Sequence, residues 1–211
     1  MDRPKTSRGR ERKQAIIEAA AALVYARGVR ATSMDDVGRA AGVGKGQLYH
    51  YFSTREDLLG AVVEHQLDQV MGEYERFRTD TWKGLRGWFD ALLEGQRSRG
   101  FRGCPVGSLA AELSAESDEL RACVAQAFDR WESSLAASLT RMKTRGALTR
   151  SARPHELAQT TLAAIQGGYL LSSAAADPRP MQRALSAAYA RLRAAAEPKR
   201  TPAQSGLIGP D

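Results

Sequence analysis

Apolar residues recur every three or four positions through most of this chain, which is the spacing of amphipathic helices. The first such segment covers residues 11–27, with Ile16, Ala20 and Leu23 on one row and Gly28 directly after it. Glycine is common just past a helix end because it adopts a left-handed conformation without steric cost. From residue 81 onward the chain lacks the strict apolar and polar alternation of a half-buried strand. The pattern predicts an all-α protein.

Residues 32–52 predict two short helices joined by a tight turn. Ser33 and Asp36 have the spacing of a helix cap, so the first short helix is expected over residues 34–41. Gly42 supplies the turn residue, and a second helix is expected to begin near residue 44 with Leu48 facing inward. The outward positions of that helix are polar or aromatic. Such a surface suits phosphates and base edges, as in a helix-turn-helix protein that reads DNA.

The predicted DNA contacts follow from side-chain chemistry. Lys45, at a helix N-terminus, is expected to meet a phosphate in preference to a guanine edge, and the amide of Gln47 can form two hydrogen bonds with adenine. Tyr49 can donate its hydroxyl to a phosphate or instead pack partly into the core. The predicted DNA-binding residues are Thr32, Ser33, Gly44, Lys45, Gln47, Tyr49 and His50, with Arg10 and Arg12 from the basic N-terminus.

The remaining sequence predicts one long helix and five more after it. Ser53 and Glu56 have capping-box spacing, and an apolar stripe at helical period follows from Leu58 to Tyr74. Glycine- and proline-containing breaks divide the rest of the chain. The later helices are expected over residues 82–98, 105–114, 118–145, 154–174 and 180–196, giving about nine helices in all.

A recognisable set of residues runs through the N-terminal third: Gly28, Thr32, Val37, the run AAGV at 40–43, the run LYHYF at 48–52, and Glu56, Leu58 and Leu59. This set resembles the N-terminal signature of the TetR/AcrR family of bacterial transcriptional regulators. Gln47 stands where the family commonly has a small hydroxyl residue, and it bears most on which DNA sequence is read. Val29, Gly38 and Arg55 are smaller departures from the family's usual residues.

The resemblance implies a division of the chain into two domains, followed by a tail. Residues 1–52 would form a three-helix DNA-binding domain, with a basic arm at 1–10 and the helix-turn-helix at about 33–52. Residues 53–196 would form a helical ligand-binding and dimerisation domain. Composition, with three prolines, two glycines and few apolar residues, predicts that residues 197–211 form a mobile tail. The last two long helices would pair with their copies in a homodimer, with Gly167 and Gly168 permitting close approach. Such a dimer suits a near-palindromic operator in double-stranded DNA.

The resemblance also implies a small-molecule effector, hydrophobic or electrophilic, that releases the protein from DNA. Repression is the expected outcome, although an activator uses the same scaffold. Aromatic and aliphatic residues on apolar helix faces are either pocket lining or ordinary core. The candidates are Trp88, Phe89, Leu92, Phe101, Leu109, Leu113, Phe128, Trp131, Leu135, Ile165 and Tyr169.

Charge supports a nucleic-acid partner. The 211 residues carry a net charge of +7, and residues 1–52 hold ten Lys or Arg against five Asp or Glu, which places +5 of the total there. The basic residues near the N-terminus predict a flexible arm that contacts phosphates, or else a solvated terminus. A nonspecific nucleic-acid-binding protein is the alternative function, and it predicts weak sequence preference with a steep salt dependence.

The sequence offers no sign of catalysis, cofactor or metal. Its three histidines are scattered, and its two cysteines form no CxxC pair. No apolar run is long enough to span a bilayer and no signal peptide precedes the first helix, so a cytoplasmic protein is expected.

Cys104 lies just before a proline-led helix, with Arg99 and Arg102 nearby. A helix N-terminus and adjacent cations lower the pKa of a thiol, and the segment resembles one in family members that respond to electrophiles or oxidants. Cys104 is therefore either a redox sensor or a small, buried, inert residue.

Overall fold

A computed structural model describes residues 6–196 as a bundle of α-helices. The all-α prediction is confirmed, and across this part of the chain none of the helices is long and apolar enough to cross a membrane. Predictions about the first residues of the basic arm and about the tail at 197–211 lie outside the described residues. The helices between residues 6 and 196 are α1 (Ser7–Arg27), α2 (Met34–Ala40), α3 (Lys45–Tyr51), α4 (Arg55–Glu75), α5 (Trp82–Ser98), α6 (Pro105–Leu113), α7 (Asp118–Thr144), α8 (Pro154–Ala175) and α9 (Arg179–Ala194).

Two helix starts differ from the prediction. Helix α1 begins four residues earlier than expected because Thr6 caps it, its side-chain oxygen accepting a hydrogen bond of 3.1 Å from the Gly9 amide. Helix α4 is capped by Thr54 and Asp57, so the capping box lies one residue later than the predicted Ser53 and Glu56. The other predicted helix ends agree with the observed ones to within two residues.

Helices α1, α2 and α3 form a compact unit, here called the reading head. Val37 and Leu48 are buried where α2 and α3 meet, against Ile16 and Val24 of α1. Phe52, at the end of α3, is fully buried. The apolar side chains of two seven-residue helices are too few to form a core of their own. Packing of α2 on α1, and the core that both short helices share with α4, hold them in place.

Helix α4 joins the reading head to the C-terminal helices. Its first turns bury Leu58 and Leu59 in the core shared with the reading head. Near its other end the hydroxyl of Tyr74 lies 2.8 Å from that of Ser138 on α7, which also lies 3.0 Å from the hydroxyl of Thr79. Burial raises the pKa of Tyr74, so its phenol stays a neutral partner in this network. Helix α4 is therefore fixed at both ends.

Helices α8 and α9 pack closely against each other within the chain. A Cβ atom at Gly168 would lie 2.7 Å from Sδ of Met181, so this glycine permits the approach of α9. Gly167 has no neighbour within 4 Å of such a Cβ position. The hydroxyl of Ser172 accepts a hydrogen bond of 2.9 Å from the Met181 amide at the start of α9. Gly168 thus serves the packing of α8 on α9 in one chain.

Candidate DNA-binding surface and effector cavities

Helix α3 presents a polar face to solvent. Lys45, Gln47, Tyr49 and His50 are all exposed, whereas Leu48 is buried beneath them. Tyr49 has 41% of its surface exposed, so it does not pack into the core. The helix begins at Gly44 without a side-chain cap. The predicted contacts on α3 therefore lie together on one accessible surface.

The turn between α2 and α3 sets the orientation of that surface. Gly42 has a φ of +64°, a left-handed conformation that favours glycine, and the Val43 amide donates a hydrogen bond of 2.9 Å to the Gly38 carbonyl. A Cβ atom at Gly38 would lie 3.3 Å from the carbonyl oxygen of Val43, which explains why a residue smaller than alanine fits there. The turn is closed by backbone bonds alone, and it fixes the angle at which α3 leaves the reading head.

The two predicted contacts that precede α2 are used by the fold itself. Thr32 is buried and its hydroxyl donates a hydrogen bond of 2.9 Å to the Gly28 carbonyl, so its placement does not favour a phosphate contact. Ser33 is exposed and forms a capping box with Asp36, as the spacing predicted. Hydrogen bonds from the Ser33 side chain and backbone, and one from Arg39, lower the pKa of Asp36 to about 2.

The basic residues near the N-terminus lie on a helix. Arg10 and Arg12 are exposed on the first turns of α1, where the prediction had placed Arg10 on a flexible arm. Lys13 lies over the ring of Phe52, its ammonium nitrogen 5.2 Å from the ring centroid. Lys13 is therefore positioned relative to α3, because Phe52 directly follows that helix.

Two neighbouring cavities lie among the C-terminal helices. The inner cavity, of about 50 Å³, is enclosed by α4, α5, α7 and α8 together with the start of α6. The outer cavity, of about 640 Å³, opens between α6, α7 and α8. Cys104 and Tyr169 contribute to the walls of both. The inner cavity is lined by Gln69, Val70, Glu73, Phe77, Trp88, Ala91, Leu92, Arg99, Cys104, Pro105, Trp131 and Tyr169. The outer lining includes Arg102, Gly103, Gly107, Ala110, Ala111, Phe128, Gln159, Leu162, Ala163, Gln166, Leu170 and Ser173.

The predicted lining residues divide between cavity and core. Trp88, Leu92, Trp131 and Tyr169 line the inner cavity, and Phe128 and Tyr169 line the outer one. Phe89 instead lies beside α9, 6.2 Å from the ring centroid of Tyr189. The predicted residues that line neither cavity are Phe89, Phe101, Leu109, Leu113, Leu135 and Ile165. A stripe of apolar residues does not distinguish the two roles, because both require the same inward face.

From the sequence, Arg99 was named only as a cation near Cys104 and Gln96 was not singled out, so the inward-facing position of both residues was missed. They continue the apolar row Leu85, Trp88, Leu92 of α5 at spacings of three and four, so the signal was a polar pair at inward-facing positions. Within residues 6–196, three buried side-chain atoms have no hydrogen-bond partner: Gln96 Oε1, Arg99 Nε and Trp131 Nε1. Buried polar atoms are nearly always paired. Arg99 and Trp131 both line the inner cavity, so this cavity has unmet hydrogen-bonding capacity.

Cys104 lies between the two cavities and is buried, with 3% of its surface exposed. Burial raises the pKa of its thiol, although hydrogen bonds from the Gly107 and Val106 amides and from Gln166 act in the opposite direction. The expected lowering of its pKa by the helix N-terminus and nearby cations is therefore wrong, because desolvation outweighs both effects. Cys104 and Cys123 are both free thiols.

Helix α6 connects the cavities to the reading head. Its first residues line the outer cavity, and its last turn carries Glu112, whose carboxylate accepts hydrogen bonds from the amides of Val29 at 3.0 Å and Arg30 at 3.4 Å. Arg55 donates to the Val29 carbonyl at 2.7 Å and to the Glu116 carboxylate at 2.7 Å. These bonds, here called the α6 clamp, hold the turn between α1 and α2.

A long groove between α1, α4 and α7 also escaped the sequence reasoning. Its volume is about 970 Å³, and acidic side chains such as Glu56 and Glu64 lie along it with Cys123. The pKa of Cys123 is raised by burial and by the charge of Glu64. Across residues 6–196 no three His, Cys, Asp or Glu side chains are grouped so as to hold a metal ion.

Two family models match the chain. The model described as bacterial regulatory proteins, tetR family, matches residues 16–62, which include α2 and α3. The model described as the transcriptional regulator LmrA/YxaF-like C-terminal domain matches residues 82–187, which include most of the residues around both cavities.

Relatives and solved structures agree with these matches. An HTH-type transcriptional regulator of Mycobacterium tuberculosis is 30% identical and spans 80% of this chain and 88% of its own length. The HTH-type transcriptional repressor DhaR of a Mycobacterium species is 23% identical over 85% of this chain and 91% of its own. The crystal structure of a TetR regulatory protein from Rhodobacter sphaeroides superposes with a TM-score of 0.74 at 25% identity, covering 84% of this chain and 96% of that one. The chain belongs to the TetR family of helix-turn-helix transcriptional regulators.

Proposed function

We propose that this chain is a repressor that binds a near-palindromic operator as a homodimer in the cytoplasm and leaves it when a small hydrophobic effector binds. The observation that carries the proposal is the face of α3, where Lys45, Gln47, Tyr49 and His50 are exposed above the buried Leu48. A short helix with such a face can enter a major groove. That the relative DhaR is named a repressor supports repression over activation.

Within this proposal the α3 residues have distinct roles. Gln47 reads a base, because its amide can both donate to and accept from adenine. Lys45, Tyr49 and His50 contact phosphates, as do Arg10 and Arg12 from the adjacent turns of α1. Gly44 allows the DNA backbone to approach the start of α3. Ser33 and Thr32 contribute mainly by fixing α2, since their hydroxyls already have partners in the fold.

A homodimer is supported by the surface of α8. Leu170 and Leu171 have 70% and 59% of their surfaces exposed, which is unusual for adjacent leucines on a helix that otherwise buries its apolar residues. A second copy that covers them would present two α3 helices to successive major grooves.

A noncovalent, hydrophobic effector is favoured over an electrophilic one. The outer cavity has apolar walls from Phe128 and Leu162 and a volume in the range of small-molecule sites. An electrophile would require a reactive thiolate at Cys104, whose burial and raised pKa oppose that reaction. The α6 clamp offers a route from the cavity to the reading head, because Glu112 and the cavity-lining Gly107 lie on the same short helix.

In vitro selection of bound DNA tests the proposal. We expect a short palindrome from the full-length protein, and Gln47→Ala should relax preference at one base position per half-site at a cost of about 1–3 kcal/mol. Tyr49→Phe should weaken binding evenly across sequences because it removes a phosphate contact. Gln126→Ala, an exposed glutamine on α7 far along the chain from the reading head, is the matched control and should leave both affinity and preference unchanged.

The same selection at several salt concentrations tests the alternative. A nonspecific nucleic-acid-binding protein would enrich no sequence, and its affinity would fall steeply with salt in wild type and variants alike. That outcome would exclude the sequence-specific regulator and leave the nonspecific nucleic-acid-binding protein.

A further inference from the structure

Arg99 is a half-buried cation that faces the inner cavity without a paired carboxylate. Within residues 6–196 it forms no ion pair. Its Nη2 atom lies 3.4 Å from the hydroxyl of Tyr169, and its guanidinium also hydrogen-bonds to the hydroxyl of Tyr25. Its Nε atom is buried and unpartnered. Glu73 lines the same cavity, but it is exposed and makes no ion pair with Arg99. The charge of Arg99 is therefore left without a partner on the side that faces the cavity.

A second donor lies in the same cavity. Trp131 has 1% of its surface exposed, and its indole Nε1 has no acceptor within the described part of the chain. An indole nitrogen only donates, and so does a guanidinium. An acceptor bound in the inner cavity could satisfy both buried donors. A negative charge on that acceptor would also neutralise Arg99.

The size and walls of the two cavities limit what the acceptor belongs to. The inner cavity, at about 50 Å³, has room for a group of a few atoms, with aromatic walls from Trp88 and Phe77. The outer cavity, at about 640 Å³ and mostly apolar, lies on the other side of Cys104 and Tyr169. A ligand with a small anionic group and a larger apolar body would fill both once the Tyr169 side chain moved.

We propose that the effector is an organic carboxylate, with its carboxylate bound by Arg99 and Trp131 and its apolar body in the outer cavity. The inference rests on the proposed function and names the ligand class of its effector site. A carboxylate suits the planar guanidinium, whose Nε and Nη2 atoms form one edge that can donate two parallel hydrogen bonds. A phosphate monoester fits less well, because a single cation leaves part of its double charge unpaired in a largely apolar cavity.

The test compares acids with their neutral amides on the purified full chain without DNA. The probes are benzoate, cinnamate, 2-naphthoate and decanoate with the four corresponding primary amides, and dissociation constants are measured by calorimetry at neutral pH. We expect at least one acid to bind about tenfold or more tightly than its amide. Arg99→Gln should abolish this preference while it changes the affinity of the amide by no more than about twofold.

Two further variants make the result specific to this site. Arg97→Gln, two residues away and exposed, is the matched control and should keep the preference. Arg99→Lys keeps the charge but loses the paired donors, so its preference should fall between wild type and Arg99→Gln. Each variant is first checked for an unchanged circular dichroism spectrum and melting curve, and Trp131→Phe, which keeps most of the buried ring, should weaken the acid about fivefold without affecting the amide.

The outcomes separate this inference from the proposed function. Acids that bind no better than amides, no binding of any acid at about 1 mM, or a preference that survives Arg99→Gln would each overturn the carboxylate site. A preference that survives would place the acid elsewhere, for example in the long groove. If acids bind through Arg99 but no operator is found, the proposed regulator function fails and the carboxylate site stands. If a specific operator is found but the acids neither bind the protein nor release it from DNA, the carboxylate site fails and the regulator function stands.

Discussion

Single side chains near α2 and α3 divide between those that the fold uses and those that it leaves for DNA. The hydroxyls of Thr32 and Ser33 are bonded to backbone and carboxylate groups before any ligand arrives. Lys45 and Gln47, by contrast, are exposed on α3. The sequence predicted all four as DNA contacts. Thr32 and Ser33 were included because a hydroxyl can either cap a helix or bind a phosphate. The hydrogen bonds of the folded chain decide between the two roles.

Asp36 gives a prediction about pH at this scale. Its pKa in the fold is about 2, below the ordinary value of 3.8, so the folded state favours the carboxylate. The stability that it contributes is complete above pH 3.8 and is lost as pH falls from there toward about 2. Asp36→Asn should therefore melt below the wild type at neutral pH, with the difference in melting temperature shrinking as pH falls through that window.

The measurement is a melting temperature by circular dichroism across the acid range, with Asp35→Asn as the control. Asp35 is an exposed carboxylate in the same first turn of α2 but is not part of the capping box. A constant difference between Asp36→Asn and wild type over the whole range would mean that the capping carboxylate does not titrate as the bonds to Ser33 and Arg39 require.

At the scale of elements, α6 is the short helix that touches both functional regions. It begins at the wall of the cavities and ends at the turn between α1 and α2, where Glu112 holds the amides of Val29 and Arg30. The hydroxyl of Tyr25 adds a bond of 3.2 Å from α1 to the Gly103 carbonyl just before α6. Movement of α6 would therefore change the contacts of Tyr25 on α1 and of Val29 in the turn that follows α1.

Removal of the Glu112 carboxylate tests whether the α6 clamp stabilises the reading head. Val29 is fully buried, so Glu112→Ala leaves its amide without an acceptor and should lower the free energy of unfolding by roughly 1–3 kcal/mol. Urea denaturation gives the value, and Glu112→Gln should recover part of the loss because its amide oxygen still accepts. Glu119→Ala, an exposed carboxylate at the start of α7, should cost little. Equal effects of Glu112→Ala and Glu119→Ala would rule out the clamp as a stabilising contact.

At the scale of the whole molecule, the described chain buries most of its large apolar side chains fully or partly. The large hydrophobic residues that remain exposed are Tyr49 on α3 and Leu170 and Leu171 on α8. Tyr49 belongs to the proposed DNA surface. Leu170 borders the outer cavity yet leaves 70% of its surface exposed, and Leu171 lines no cavity. Their exposure is the reason to expect a second copy.

If the chain forms the proposed dimer, Leu171→Glu should convert it to a monomer, because the substitution places a charge in the proposed interface. Sedimentation velocity should show a shift to the monomer mass, and affinity for the selected operator should fall, since each reading head would then bind alone. Ala122→Glu puts the same charge on an exposed position of α7 and should leave the mass unchanged. A Leu171→Glu variant that remains dimeric would place the interface on another surface.

The sequence by itself determined the helices, the helix-turn-helix and the family. Helix ends agreed with prediction where a proline or a Gly-led break stops the chain, because these signals act within a few residues; α5, for example, has its predicted bounds. The starts of α1 and α4 were misplaced because several neighbouring hydroxyl and acidic residues could cap each of them. The exposed face of α3 was also predictable, since Leu48 alone among its central residues is apolar enough to face the core.

Only the tertiary structure decided which inward-facing residues enclose empty space. Trp88 and Leu113 both lie on apolar stripes and are both buried, yet only Trp88 lines a cavity. The unpartnered donors belong to Arg99 and Trp131, which are about thirty residues apart in the chain. Burial raises the pKa of the Cys104 thiol, whereas its neighbours in sequence predicted a lowered pKa. Cavities, unmet hydrogen bonds and burial depend on how several helices pack together, and periodicity along one helix carries no information about its neighbours.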